Sequence, residues 1–113
     1  MHALAGTDVI AVPTALAQPW TFVANTIVPA RAFESQLFVC YANWVGEADA
    51  VRFCGLSRVA RPDGRIETAG EHEEELVLAE IGRDEIVTAR AETPYLPGRR
   101  VDLYRDPATA PIV

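Results

Sequence analysis

The chain has 113 residues, half of them hydrophobic, with a net charge of −6 and a pI near 4.8. This composition supports one domain with its own core and excludes a disordered polypeptide; the acidic balance, with arginines interspersed, argues against nucleic acid as a partner. All ten basic residues are arginine, so no lysine chemistry operates within these residues.

Residues 1–6, MHALAG, have the composition of a last helical turn, with Gly6 suited to the left-handed conformation that follows a helix C-terminus. That helix is expected to begin before Met1. Residues 8–13, DVIAVP, form a β-branched run without polar alternation, which predicts a strand covered on both faces. The loop 14–19, TALAQP, leads into 20–36, WTFVANTIVPARAFESQ, where apolar residues recur every three or four positions. This predicts an amphipathic helix that Pro29 divides in two. Residues 37–44, LFVCYANW, repeat the buried-strand pattern, so the succession predicts a βαβ unit with a parallel pair.

Beyond Gly46, the acidic loop EADA precedes 53–60, FCGLSRVA, read as a strand that Pro62-Asp63-Gly64 joins to residues 65–68 as a hairpin. Residues 73–81, EEELVLAEI, predict a further strand, and Asp84 is placed to cap a short helix, EIVTARAE. The acidic run Glu71, Glu73, Glu74 and Glu75 is expected to be a solvated loop. Four prolines from residue 94 onward predict an extended arm over 94–113, within a single domain spanning 1–113.

No stretch is long and apolar enough to cross a bilayer, and no basic region precedes an apolar one at the N-terminus. A cytoplasmic protein without a membrane partner is the default expectation. Cys40 and Cys54 sit in apolar segments and are expected to be buried, reduced thiols. His2 and His72 share no ligand spacing with each other or the cysteines, so no metal site is expected.

Four blocks then stand in order: VPTA at 12–15, PARAFESQLFVCYAN at 29–43, FCGLSRVARPDGRI at 53–66 and PYLPGRRVDLY at 94–104. Together they resemble the nitrilase superfamily of carbon–nitrogen hydrolases, in particular its aliphatic amidases, 5-aminopentanamidase and N-carbamoylputrescine amidase. Ser35 stands where the family pattern has asparagine, and Val101 where it has proline. The resemblance implies an α/β fold that is the C-terminal portion of a four-layer α-β-β-α sandwich, incomplete in this chain.

It also implies hydrolysis of a small linear amide or carbamoyl amine to acid and ammonia through a cysteine thioester, with a glutamate as general base and a lysine stabilising the tetrahedral intermediate. Those three residues come from upstream of the matched region, so this chain is expected to hold no catalytic residue and to be inactive alone. Cys40 lies mid-strand and Cys54 in a segment the family uses as plain strand, which disfavours either as a substitute nucleophile.

By resemblance, the loop after the first strand borders the substrate, with Thr14 offering a hydroxyl, Ala15 a backbone amide and Trp20 an apolar wall. Asn43 would lie near the same centre. Two alternatives stand beside these: Trp20 as a staple of the helix start onto the core, and Asn43 as a strand-terminal turn residue. Arg31 and Glu34 are assigned a structural role, tying their helix to its neighbours, and Arg99 and Arg100 a role in an arm that contacts the domain or a partner subunit. The implied partners are the small amide of the complete enzyme and either a homo-oligomer or a complementary N-terminal half. No cofactor is implied, because the chemistry uses side chains alone. The alternative function is a non-catalytic binding or assembly module, or one half of a split hydrolase.

Overall fold

A computed structural model describes residues 2–100. The chain opens with a short 3-10 turn, His2–Ala5, closed by Gly6 at φ +80°, and then enters strand β1, Val9–Thr14. A turn of π-helix, Val23–Ile27, runs directly into helix α1, Val28–Ser35. Pro29 sits in the first turn of α1, where its missing N–H is tolerated, and the wide turn before it is closed by the Val28 N–H on the Val23 carbonyl. The predicted two-piece helix is therefore one continuous rod with a change of pitch. Gln36 ends it in the left-handed region, φ 52°.

Strand β2, Phe38–Asn43, pairs in parallel with β1 over the whole length of both, Val9 facing Phe38 and Thr14 facing Asn43. The βαβ expectation is met. A two-residue hairpin follows, β3 (Glu47–Ala48) and β4 (Val51–Arg52), turning through Asp49 and Ala50, both at positive φ as such tight turns require. Strands β5 (Arg58–Ala60) and β6 (Ile66–Thr68) form the antiparallel hairpin signalled by Pro-Asp-Gly, and β5 pairs antiparallel with β2. The sheet order is β1-β2-β5-β6. Helix α2, Arg83–Glu92, ends the described elements.

Register divides the sheet into two faces. The row Ile10, Val39, Ala60 and the row Val12, Tyr41 lie under the helical rod, where Ala24, Val28, Ala32, Leu37 and Leu56 complete the core. The opposite face carries Ala11, Cys40, Val59 and Glu67 in one cross-strand row and Pro13 beside Ala42 in another. Along β1, exposed and half-buried residues alternate, so the DVIAVP strand is not covered on both faces as its composition suggested. It is an edge strand, and no described residue packs over Ala11 or Pro13 closely enough to bury them.

Three other expectations differ from the structure. Residues 73–81 join no ladder among the described residues, so the segment is not a strand of a sheet. The cap of α2 is Gly82, whose N–H donates to Glu85 Oε1 at 3.2 Å, and not Asp84, which lies inside the first turn. Within FCGLSRVA only Arg58–Ala60 is strand, because Gly55 and Leu56 both adopt positive φ. Of the predicted arm at 94–113, residues 94–98 form a turn closed by the Gly98 N–H on the Pro94 carbonyl at 3.1 Å; the remainder, from 101, falls outside the described residues.

Candidate functional site

The polar residue that ends β2 organises the region where the two parallel strands stop. Asn43 is about nine-tenths buried, and its amide is fully engaged. Its Oδ1 accepts from the Leu16 N–H at 2.7 Å, while Nδ2 donates to the Leu16 carbonyl at 3.2 Å, the Gly55 carbonyl at 2.9 Å and Cys54 Sγ at 3.3 Å. The Cys54 thiol donates to the Leu16 carbonyl at 3.2 Å, and Ser57 Oγ exchanges hydrogen bonds with the Asn43 backbone. One side chain thus ties the loop leaving β1 to the loop entering β5.

This clamp explains the local backbone. The Cys54 N–H reaches the Leu16 carbonyl at 3.0 Å, the Gly55 N–H the Trp44 carbonyl at 2.9 Å and the Leu56 N–H the Gly70 carbonyl at 3.0 Å. Gly55 sits at φ +55°, and a Cβ there would lie 2.7 Å from the Glu71 carbonyl oxygen, so only glycine fits.

Of the residues expected at the site, Thr14 and Asn43 are register partners, and Ala15 connects Thr14 to the clamped Leu16. Trp20 is 52% exposed and tilts against Phe22 at a ring-centroid distance of 5.9 Å, so it does not staple the helix to the core. Arg31 and Glu34 are hydrogen-bonded to each other with both side chains more than half exposed. They form a surface pair on α1, not a link to another element.

Sequence reasoning did not single out Arg58, which is 3% exposed. Its Nε donates to the Leu56 carbonyl at 3.0 Å and its Nη2 to Asn25 Oδ1 at 2.9 Å, fixing β5 to the π-turn. Burial lowers the pKa of its guanidinium; burial and the nearby Cys54 raise that of the Tyr41 phenol. A lone arginine inside an apolar run was the available signal.

The two cysteines differ in setting. Cys54 is fully buried and surrounded by the Asn43 amide and the Leu16 carbonyl. Cys40 lines a cleft of about 430 Å³ on the open sheet face, together with Ala11, Val59 and Glu75. Arg58 borders the same cleft, but its register places its side chain with Tyr41 on the helical face, whereas Cys40 lies with Val59 on the other. Glu75 accepts from the Gly70 N–H at 2.9 Å, and burial raises the Cys40 thiol pKa. Among the described residues, neither thiol is hydrogen-bonded to a carboxylate, histidine or arginine side chain. Among the described residues no three His, Cys, Asp or Glu side chains converge on a metal position, and no helix is long and apolar enough to cross a membrane.

The carbon-nitrogen hydrolase family model matches residues 1–91. A protein from Pseudomonas protegens described as a hydrolase in the pqqF 5′ region is 46% identical over 105 residues, covering 92% of this chain and 36% of that protein. The 2-oxoglutaramate amidase of Bacillus subtilis is 32% identical over 103 residues, covering 91% of this chain and 40% of that protein. Among solved structures, a mutant amidase from Nesterenkonia sp. AN1 superposes with a TM-score of 0.72 at 31% identity, covering 89% of this chain and 35% of that one; it carries the acetamide moiety of fluoroacetamide on its active-site cysteine. The chain spans little more than a third of the length of the relatives it matches.

Proposed function

The chain belongs to the carbon-nitrogen hydrolase family, and from that premise we propose that it is the C-terminal part of an amidase whose complete form hydrolyses a small linear amide or carbamoyl amine. In that reaction a cysteine thiolate adds to the amide carbon, ammonia leaves as a thioester forms, and water releases the acid. The amidase relatives support the reaction class. Thr14, Ala15 and Trp20 would border the substrate, and Asn43 would hold the loop that presents them.

The observation that carries the second half of this reading is the state of the two thiols. Enclosure of Cys54 by an amide and a carbonyl, and a Cys40 thiol whose pKa is raised by burial, support the reading that the described residues assemble no nucleophile. We therefore infer that the chain alone is inactive and that turnover requires polypeptide supplying cysteine, glutamate and lysine. Purified chain incubated with acetamide, butyramide and N-carbamoylputrescine is expected to release no ammonia above a buffer control. Release that disappears in the Cys40→Ser or Cys54→Ser variant would refute this.

A further inference from the structure

Arg58 carries a charge into the interior with only neutral partners. It is buried, and among the described residues its Nε and Nη2 donate to the Leu56 carbonyl and to Asn25 Oδ1, with no carboxylate accepting from it. A guanidinium held that way is costlier to bury than an apolar side chain of the same size. What its planar fork supplies is geometry, with donors at a fixed spacing. One donor holds Leu56, a non-glycine residue in the left-handed region at φ 60°. The other reaches the middle of the π-turn Val23–Ile27, a wide turn that is rare in proteins and frequent at functional positions. From that turn a run of backbone hydrogen bonds leads back toward β1. The Val23 N–H donates to the Trp20 carbonyl at 3.0 Å, the Trp20 N–H to the Ala17 carbonyl at 3.1 Å, and the Gln18 N–H to the Arg52 carbonyl at 2.8 Å.

We propose that Arg58 is a positioning residue: through Asn25 it fixes the π-turn, and through the π-turn it sets where Trp20 and the end of the loop 14–19 stand. The inference rests on the amidase reading for what that loop borders, and adds a second anchor to it. The first anchor, Asn43, grips the loop at Leu16. Trp20 is not held by burial, since it is half exposed and meets Phe22 through a tilted ring contact. Its backbone is placed by the turn that follows, and Asn25, exposed at the centre of that turn, takes its fixed position from the buried guanidinium. Without this brace Leu16 would stay clamped while Trp20 moved, so the loop would present its apolar wall in several positions instead of one. A wall that wanders places a bound amide less well for attack, because orientation supplies part of the rate.

The test uses the whole chain carrying 5-fluorotryptophan, with Trp44→Phe leaving Trp20 as the single reporter. In Asn25→Ala, amide exchange at Trp20 and Val23 is expected to quicken at least tenfold. The Cys54 N–H, bonded to the Leu16 carbonyl, and the amides of β2 are expected to change less than twofold. The fluorine resonance of Trp20 is expected to broaden or move toward that of the free amino acid. Asn25→Asp, which offers the guanidinium a carboxylate, is expected to restore the parent exchange and resonance. Acceleration spread evenly over β1, β2 and the loop would show a contribution to stability alone and overturn the proposal. Unmoved Trp20 and Val23 amides, or failure of Asn25→Asp to restore them, would do the same. Ammonia release by the parent chain is read separately. Release that depends on Cys40 or Cys54 sinks the hydrolase reading and leaves the brace; unmoved amides in Asn25→Ala sink the brace and leave the reading.

Discussion

Asn43 illustrates how much one buried amide can organise. Its donor and acceptor atoms serve the Leu16 N–H and the carbonyls of Leu16 and Gly55, all away from bulk water. Truncation to alanine would strand these groups, so Asn43→Ala is expected to lower the unfolding free energy by about 2–3 kcal/mol, read as a fall in the urea midpoint at unchanged slope. Asn43→Asp should do no better, because a carboxylate oxygen would replace a donor that faces two carbonyls and a thiol. A loss below about 0.5 kcal/mol would show that the clamp does not stabilise the fold. The residue was legible in the sequence as a polar strand end in an otherwise apolar run. Its partners were not, because Leu16 and Cys54 stand 27 and 11 positions away, and the pairing of β2 with β1 on one side and β5 on the other brings them to Asn43. The same distance effect hid the role of Gly55, whose contacts with Gly70 and Glu71 arise from a loop with no signature of its own.

At the scale of elements, what holds α2 to the sheet is an ion network and not a broad apolar seam. Arg61, 7% exposed, donates to both carboxylate oxygens of Glu67 and of Glu85, and Arg65 reaches Glu85 Oε2 at 2.9 Å. The hydrogen bond from Arg61 is the main cause that holds the Glu85 pKa below the ordinary 4.5. A depressed carboxyl contributes stability that is present above the unfolded value and lost as pH falls through the folded one. Docking of α2 is therefore expected to be pH-independent from 7 to about 5 and to weaken below about 4.5, with faster amide exchange across 83–92. Glu85→Gln should flatten that dependence, and an unchanged acid slope in this variant would contradict the assignment. Arg61→Met, leaving Glu67 without its partner and Glu85 with Arg65 alone, is expected to cost about 3 kcal/mol in a urea melt. The elements that sequence reading recovered, the parallel pair and the Pro-Asp-Gly hairpin, are those whose partners are near in sequence or marked by turn chemistry. The 73–81 segment failed as a strand for a different reason: its alternation is that of a strand, but a strand is defined by its neighbour, and no described residue is one.

For the molecule as a whole, the uncovered surface sets the behaviour in solution. Among the described residues, Trp44 at 62%, Leu76 at 79% and Leu78 at 78% exposure join Val9 and a β1 edge that no strand pairs, on a sheet with one side buried. Surfaces of this kind associate. Light scattering after size exclusion is expected to find the isolated chain oligomeric or aggregated at micromolar concentration, and a monodisperse monomer with a cooperative melt would count against it being a part of a larger fold.

The unequal placement of the two sulfurs has a practical outcome. Cys40 looks onto the open face at intermediate exposure, while Cys54 is wholly enclosed, so iodoacetamide should alkylate the former well before the latter. Burial raises the Cys40 thiol pKa, which slows its alkylation without silencing it. Its labelling rate then works as an intrinsic footprint: anything that settles over Ala11, Ala42 and Val59 should shield it, with mass spectrometry of the peptide around residue 40 as the readout. Equal labelling of both positions in the folded chain would mean that the loop around Leu16 opens on the timescale of the reagent.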